Sequence, residues 1–190
     1  MFAELLAKIA LGLKQEKLPY MIIGGQAVLI YAEPRLTRDI DIILGIGIEG
    51  YSKLELLCKH LGLRKLVNHG SKFVSETNVL PVIDVKSNIR VDFIFSDTSY
   101  ERAAISKAKK IIIDRTEVMV AQPEDVIIHK MIAGRPRDLE DVSNIMIKQK
   151  TIDRVYIRKI LRTFEKHLGT SYVHPFNGIV ETVKRVRRRG

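Results

Sequence analysis

The sequence predicts an α/β or α+β fold with a helical C-terminal part. Three patterns carry that expectation. Apolar residues recur at helical spacing near both ends, in Phe2, Leu5, Leu6, Ile9 and Leu13 and again from Ile157 onward. Short β-branched or alternating runs occupy 20–23, 39–44, 89–95, 111–113 and 118–120. Beyond residue 120 only helical patterns remain. The composition agrees: 190 residues, 46% hydrophobic and 28% charged, is ordinary for a soluble globular chain and excludes a disordered or collagen-like one. The length suits one domain with a small appended helical part.

Each element has its own signal. The first helix stops before Pro19, which cannot continue it. Tyr20, Met21, Ile22 and Ile23 form a buried strand running into the turn Gly24-Gly25. A short helix is predicted from Gln26 to Tyr31, and Pro34 breaks the chain after it. In the strand from Asp39 to Leu44, Ile40 and Ile42 share one face and Asp39 and Asp41 the other. Residues 51–61 are periodic as a helix. The stretch 63–95 reads as short strands and turns, most clearly at 89–95. A helix over 99–107 and two strands around Asp114-Arg115-Thr116 follow. Pro123 opens a helix with Glu124 and Asp125 in its first turn, where the helix dipole favours acids. Gly134 and Pro136 end it near Ala133, and a helix over 138–148, one marked by Ile157 to Leu168 and a last one marked by Phe176 to Val183 complete the chain.

Charge divides the chain unevenly. The net formal charge is +10; residues 142–190 hold 12 Lys/Arg and 3 Asp/Glu, leaving 20 basic and 19 acidic residues in 1–141. We therefore divide the chain into 1–141 and a basic helical segment, 142–190. Such a segment suits an anionic partner such as nucleic acid, or is a solvated helix face with a basic tail at 184–190. Cys58 is the lone cysteine, which excludes an intrachain disulfide and a cysteine-based zinc cluster, and is read as a buried small hydrophobe. The five histidines show no ligand spacing. The charged N-terminus reads as neither signal peptide nor membrane span, so the expected compartment is the cytoplasm.

The chemistry gathers on three acids. Asp39 and Asp41 project to one face of a predicted strand, and Asp92 sits on another between Val91 and Phe93. Carboxylates among apolar neighbours are costly without compensation. Two Mg²⁺ ions would compensate, because hard cations take oxygen ligands and a metal pair can clamp the attacking and leaving oxygens of a phosphoryl transfer. The alternative is ion pairing with Arg38 or Arg90. Upstream, Gly24-Gly25 would let backbone N–H groups approach a phosphate, or is simply a tight turn.

These residues resemble the DNA polymerase beta-like nucleotidyltransferase superfamily. The resemblance runs from Ile23-Gly24-Gly25-Gln26-Ala27-Val28 through Pro34-Arg35-Leu36-Thr37-Arg38-Asp39-Ile40-Asp41 to Arg90-Val91-Asp92-Phe93. The form Pro-Arg-x-Thr-x-Asp-Ile-Asp, with Pro123-Glu124-Asp125 and the stretch from Lys130 to Asp141, is most similar to AbiEii-type toxin nucleotidyltransferases. The resemblance covers roughly residues 20–145. It implies a mixed sheet flanked by helices with the active site at one edge. It implies that Asp39 and Asp41 bind both metals and that Asp92 binds one and takes the acceptor's proton. Gly24 and Gly25 would face the triphosphate of the NTP, although Gly25 lacks the hydroxyl of the serine common at that position. Lys130 resembles a triphosphate ligand, with a surface ion pair as the alternative. A toxin–antitoxin role, and so an antitoxin partner, follows from resemblance alone.

Around this centre, Arg35, Thr37 and Arg38 could meet phosphate or the acceptor. Asp138 and Asp141, three apart on one helical face, are read first as salt-bridging a helix–helix joint; they could also orient Lys130 or Arg137 or form a fourth acidic motif. The reading that follows is a Mg²⁺-dependent nucleotidyltransferase moving an NMP from an NTP to an acceptor hydroxyl, with RNA (a tRNA end) favoured by the basic segment. The rivals are a nucleotidyltransferase acting on a small molecule such as an antibiotic, and a catalytically silent relative that binds nucleic acid or protein.

Overall fold

The computed structural model describes residues 1–96 and 98–188. Arg189 and Gly190, the end of the basic tail at 184–190, lie outside the described residues. Two compact units emerge. One comprises Met1–Gln26 and Leu36–Ala121; the other comprises Ala27–Arg35 and the chain from Gln122 onward.

The first unit is built on a mixed seven-stranded sheet, the α/β architecture that the sequence predicts. Its strands are β1 (Tyr20–Ile22), β2 (Asp39–Leu44), β3 (Leu63–Lys65), β4 (Val79–Asp84), β5 (Arg90–Phe95), β6 (Lys109–Ile113) and β7 (Thr116–Val120), in the order β3-β4-β5-β2-β1-β7-β6. β1 runs antiparallel to β2 and parallel to β7; β2 and β5 are parallel. The three residues of β1 are all buried because the strand is central, flanked by neighbours on both sides. β6 closes one edge, where exposed Lys109 and Lys110 discourage pairing with another chain. Alternation sends Ile40, Ile42, Val91 and Phe93 into a fully buried core on one face of the sheet.

Helices pack around this sheet. α1 (Phe2–Gln15) buries Leu5, Leu6, Ile9 and Leu13 and packs on β7 and β6. α2 (Gly24–Tyr31) starts at the glycine pair rather than after it; its residues from Ala27 onward belong to the second unit. α3 (Tyr51–His60) buries Cys58, whose thiol pKa burial pushes up to about 12, as suits a packing residue. α5 (Ser99–Ser106) is capped by the Thr98 hydroxyl, which accepts from the Glu101 amide at 3.1 Å. One element departs from expectation: within the stretch read as strands and turns lies α4 (Gly70–Thr77), ended by Asn78 in the left-handed region at φ 58°.

The second unit contains α6 (Pro123–Ala133), α7 (Pro136–Lys148), α8 (Arg154–Leu168) and α9 (Val173–Arg187), packed through Ile127, Met131, Val142, Ile145, Ile157, Leu161, Phe176 and Val180. Gly134, at φ +65°, ends α6, as read from the sequence, while Pro136 opens α7 two residues before the expected start at Asp138. Asp153 caps α8 by accepting from the Tyr156 amide at 2.8 Å. Glu165 accepts from the amides of Tyr172 and Val173 (2.6 and 2.8 Å) at the start of α9. Arg187 donates to the carbonyls of Met146, Ile147 and Gln149 (2.5, 3.3 and 2.8 Å) at the end of α7. No described helix is long and apolar enough to cross a membrane.

Candidate active site

The parallel pairing of β2 with β5 brings the three acids together. Its register sets Asp39 opposite Arg90 and Asp41 opposite Asp92. Parallel strands in register send partners to the same face, with neighbouring strands about 4.8 Å apart. Asp39, Asp41, Arg90 and Asp92 therefore form a two-by-two patch on the face opposite the isoleucine core. All three carboxylates are half-buried.

Gly24 adjoins this patch. β1 pairs Ile22 with Ile42, and one residue on, the Ile23 amide donates to the Asp41 carbonyl at 3.0 Å. The chain then turns at Gly24 (φ +62°) into α2. A Cβ on Gly24 would lie 1.8 Å from Asp41 Oδ2 and 2.9 Å from Asp41 Cβ. Both the backbone conformation and the space demand glycine here. The Gln26 carboxamide donates to the Asp39 carbonyl at 3.5 Å, adding a second tie between α2 and β2. Gly25, the second residue of α2, is buried.

The acids have individual partners. The Thr37 hydroxyl donates to Asp39 Oδ1 at 3.3 Å. Arg90 Nε donates to Asp92 Oδ1 at 2.9 Å. That hydrogen bond, with the charges of Asp92, Asp39 and Asp41, raises the Arg90 pKa against the opposing effect of burial. Of the two arginines weighed as partners for Asp92, it is Arg90 that pairs, at 2.9 Å. Among the described residues, no three His, Cys, Asp or Glu side chains converge as a ready-made metal cage. The donor set nonetheless fits a hard divalent cation: three carboxylates on neighbouring same-face strand positions, no soft ligand, and a glycine whose missing side chain gives the Asp41 carboxylate its place. Arg90 is the member of this patch that sequence reasoning treated only as a bland partner. The signal was its position two residues before Asp92, which puts both on one face of a strand.

The remaining residues singled out in the sequence belong to the second unit. Lys130 on α6 is buried, and its ammonium lies 2.6 Å from Asp138 Oδ1 and 2.9 Å from Asp141 Oδ2. Arg35 grips both oxygens of Asp141 through Nε and Nη2 (2.6 and 2.7 Å), a bidentate pair. Arg135 Nε donates to Asp138 at 2.7 Å. Asp138 and Asp141 are thus the acids that orient Lys130, and Arg35 is held by an acid of its own unit. The Pro-Glu-Asp motif has an architectural use: Asp125 accepts from the Tyr156 hydroxyl at 2.8 Å, and Glu124 accepts from the Asp153 amide at 3.0 Å.

Known structures share this fold. The solution structure of the antibiotic-resistance factor ANT(2'')-Ia matches with a TM-score of 0.59 at 15% identity, over 88% of this chain and 92% of that one. The crystal structure of ANT(2'')-Ia with adenylyl-2''-tobramycin matches with a TM-score of 0.58 at 17% identity, over 88% and 98%. An antigenic nucleotidyltransferase-like protein from Paracoccidioides brasiliensis matches with a TM-score of 0.55 at 14% identity, over 75% and 74%. At such identities the likeness is one of fold. No curated protein matches in sequence. Residues 2–170 match the family described as "Nucleotidyltransferase of unknown function (DUF6036)", and the chain, with its mixed sheet, glycine turn and paired-strand acids, belongs to that nucleotidyltransferase family.

Proposed function

We propose that the chain is a Mg²⁺-dependent enzyme that transfers an NMP from an NTP to a hydroxyl of RNA, at a tRNA end. The observation that carries this reading is the register that sets Asp41 beside Asp92, with Asp39 on the same face and Gly24 against Asp41. In this reading Asp39 and Asp41 hold two Mg²⁺ ions and Asp92 holds one of them. When bound, the ions neutralise charge and align the reacting oxygens. The backbone at Gly24 and Gly25 approaches the triphosphate, and exposed Arg38 contacts it. Asp92 takes the proton from the acceptor hydroxyl as its oxygen bonds to the α-phosphorus. The bond from that phosphorus to the bridging oxygen breaks, and pyrophosphate leaves. The part of Lys130 as a triphosphate ligand rests on resemblance alone.

Segment 1–141 carries every group in this scheme, and the basic segment 142–190 serves the acceptor. The choice of RNA rests on that segment's excess of 12 Lys/Arg over 3 Asp/Glu. Kinship with AbiEii-type toxins and an antitoxin partner rest on the sequence motifs. A second reading has its own support: the structures of similar fold include ANT(2'')-Ia bound to adenylyl-2''-tobramycin, so a small antibiotic-like acceptor is the rival.

The test is label transfer. Purified protein is incubated with each α-labelled NTP, Mg²⁺ and either total tRNA or a panel of aminoglycosides and lincosamides. Label entering tRNA is expected, and Asp41→Asn should abolish it while leaving the melting curve cooperative. Label entering only the drugs establishes the rival. RNA binding without nucleotide binding or transfer would sink both and leave a silent relative. Transfer by Asp41→Asn at the wild-type rate would remove Asp41 from the site.

A further inference from the structure

The acidic patch already contains a cation of its own. Arg90 stands directly opposite Asp39, diagonal to Asp41 and two residues before Asp92 on the same face. Its Nε donates to Asp92 Oδ1 at 2.9 Å. The two side chains differ in exposure: 53% for Arg90 against 17% for Asp92. The carboxylate is therefore held in place by the strand, while the guanidinium reaches it from the solvent side and can swing away without disturbing the core. Three carboxylates on neighbouring positions repel one another, and the guanidinium relieves that repulsion.

A divalent cation on Asp92 would meet this guanidinium as both a competitor for the oxygen and a like charge. We infer that Arg90 is the resident counter-ion of the patch, a positioning residue that holds Asp92 while no metal is bound and weakens metal binding until it moves aside. This rests on the metal reading proposed above. Arg38 is not an equivalent cation, because it sits one residue before Asp39, out of step with the two-residue alternation that puts Asp39 and Asp41 on one face.

The experiment follows metal binding without nucleotide. Wild type, Arg90→Gln, Arg90→Lys and Asp41→Asn are titrated with Mn²⁺, read by loss of the free-ion electron paramagnetic resonance signal. The same proteins are melted in EDTA and in saturating Mn²⁺. Arg90→Gln is expected to bind Mn²⁺ about fivefold or more tightly than wild type, with Arg90→Lys in between. It is also expected to melt lower than wild type in EDTA, with the gap closing in Mn²⁺. Equal or weaker Mn²⁺ binding by Arg90→Gln overturns the counter-ion role. Should that variant not fold, Arg90→Lys decides by the same comparison: tighter binding than wild type supports the role, and equal or weaker binding ends it. Mn²⁺ binding that needs Asp41 but ignores Arg90 removes this inference alone. Binding by Asp41→Asn as tight as wild type removes the metal reading and this inference with it.

Discussion

At Gly24 two constraints meet on one atom. The backbone is left-handed, and the place of a side chain is taken by the carboxylate of Asp41. Gly24→Ala should therefore cost about 1–2 kcal/mol for the backbone alone and more for displacing Asp41. The expected outcome is a melting temperature lowered by at least about 2–4 °C, with nucleotidyl transfer lost in the fraction that remains folded. Transfer at the wild-type rate would show that the contact between Gly24 and Asp41 is dispensable. Much of this was legible in the sequence, because a period of two puts Asp39 and Asp41 on one face whatever the rest of the chain does. Whether Asp92 would face them depended on register, which pairing between distant segments decides and which no local pattern records. Arg90 was hidden for a related reason: its spacing from Asp92 is visible, but a long side chain on a strand can reach several neighbours.

At the scale of elements, the junction of α6 and α7 is held by buried charge. Lys130 serves two buried acids at once, so Lys130→Met removes a cation from both, while Arg135 stays on Asp138 and Arg35 on Asp141. Breaking one partner out of a buried network costs about 3–5 kcal/mol, read as a large loss in melting temperature at pH 7. Burial pushes the Asp138 carboxyl up, but hydrogen bonds from Lys130 and Arg135 outweigh it and hold the carboxyl below its ordinary value. A depressed folded pKa contributes stability above the unfolded value of about 4 and loses it as pH falls below that. The wild type should thus lose melting temperature on acidification below about pH 4, and Lys130→Met should lose less of what it retains. The end of α6 was legible because Gly134 marks it, whereas α7 begins two residues earlier than the sequence suggested, since a proline that breaks one helix also suits the first turn of the next. α4 was not legible: over its eight residues it buries only Gly70 and Val74, too few to display a helical period.

Across the whole molecule the basic C-terminal segment divides into cations with structural partners and cations on the surface. Arg187 caps α7, Arg158 donates to Asn177 and lies over the Phe176 ring, and Lys184 pairs with Glu181. Lys159, Arg162 and Lys166 are exposed and fall on one face of α8. Deleting 184–190 would therefore strip a helix cap together with charge, and the cleaner test replaces the α8 trio with serine. RNA binding should weaken, and the slope of its logarithm against log salt should flatten by up to about 2, at roughly 0.7 per single-strand phosphate contact. An unchanged slope would make this stripe a solvated face. Composition alone gave the net charge; the division of labour within it depends on carbonyls and rings that only folding brings near. The short strand β1 carries a consequence of another kind. With partners on both edges, and with Ile22 also accepting from Ala121, its amides should exchange with deuterium only through the rarest openings of the sheet. The turn at Gly24 therefore hangs from backbone paired on both sides, and a nucleotide settling there should alter isotope uptake after residue 23 while leaving Tyr20–Ile22 untouched.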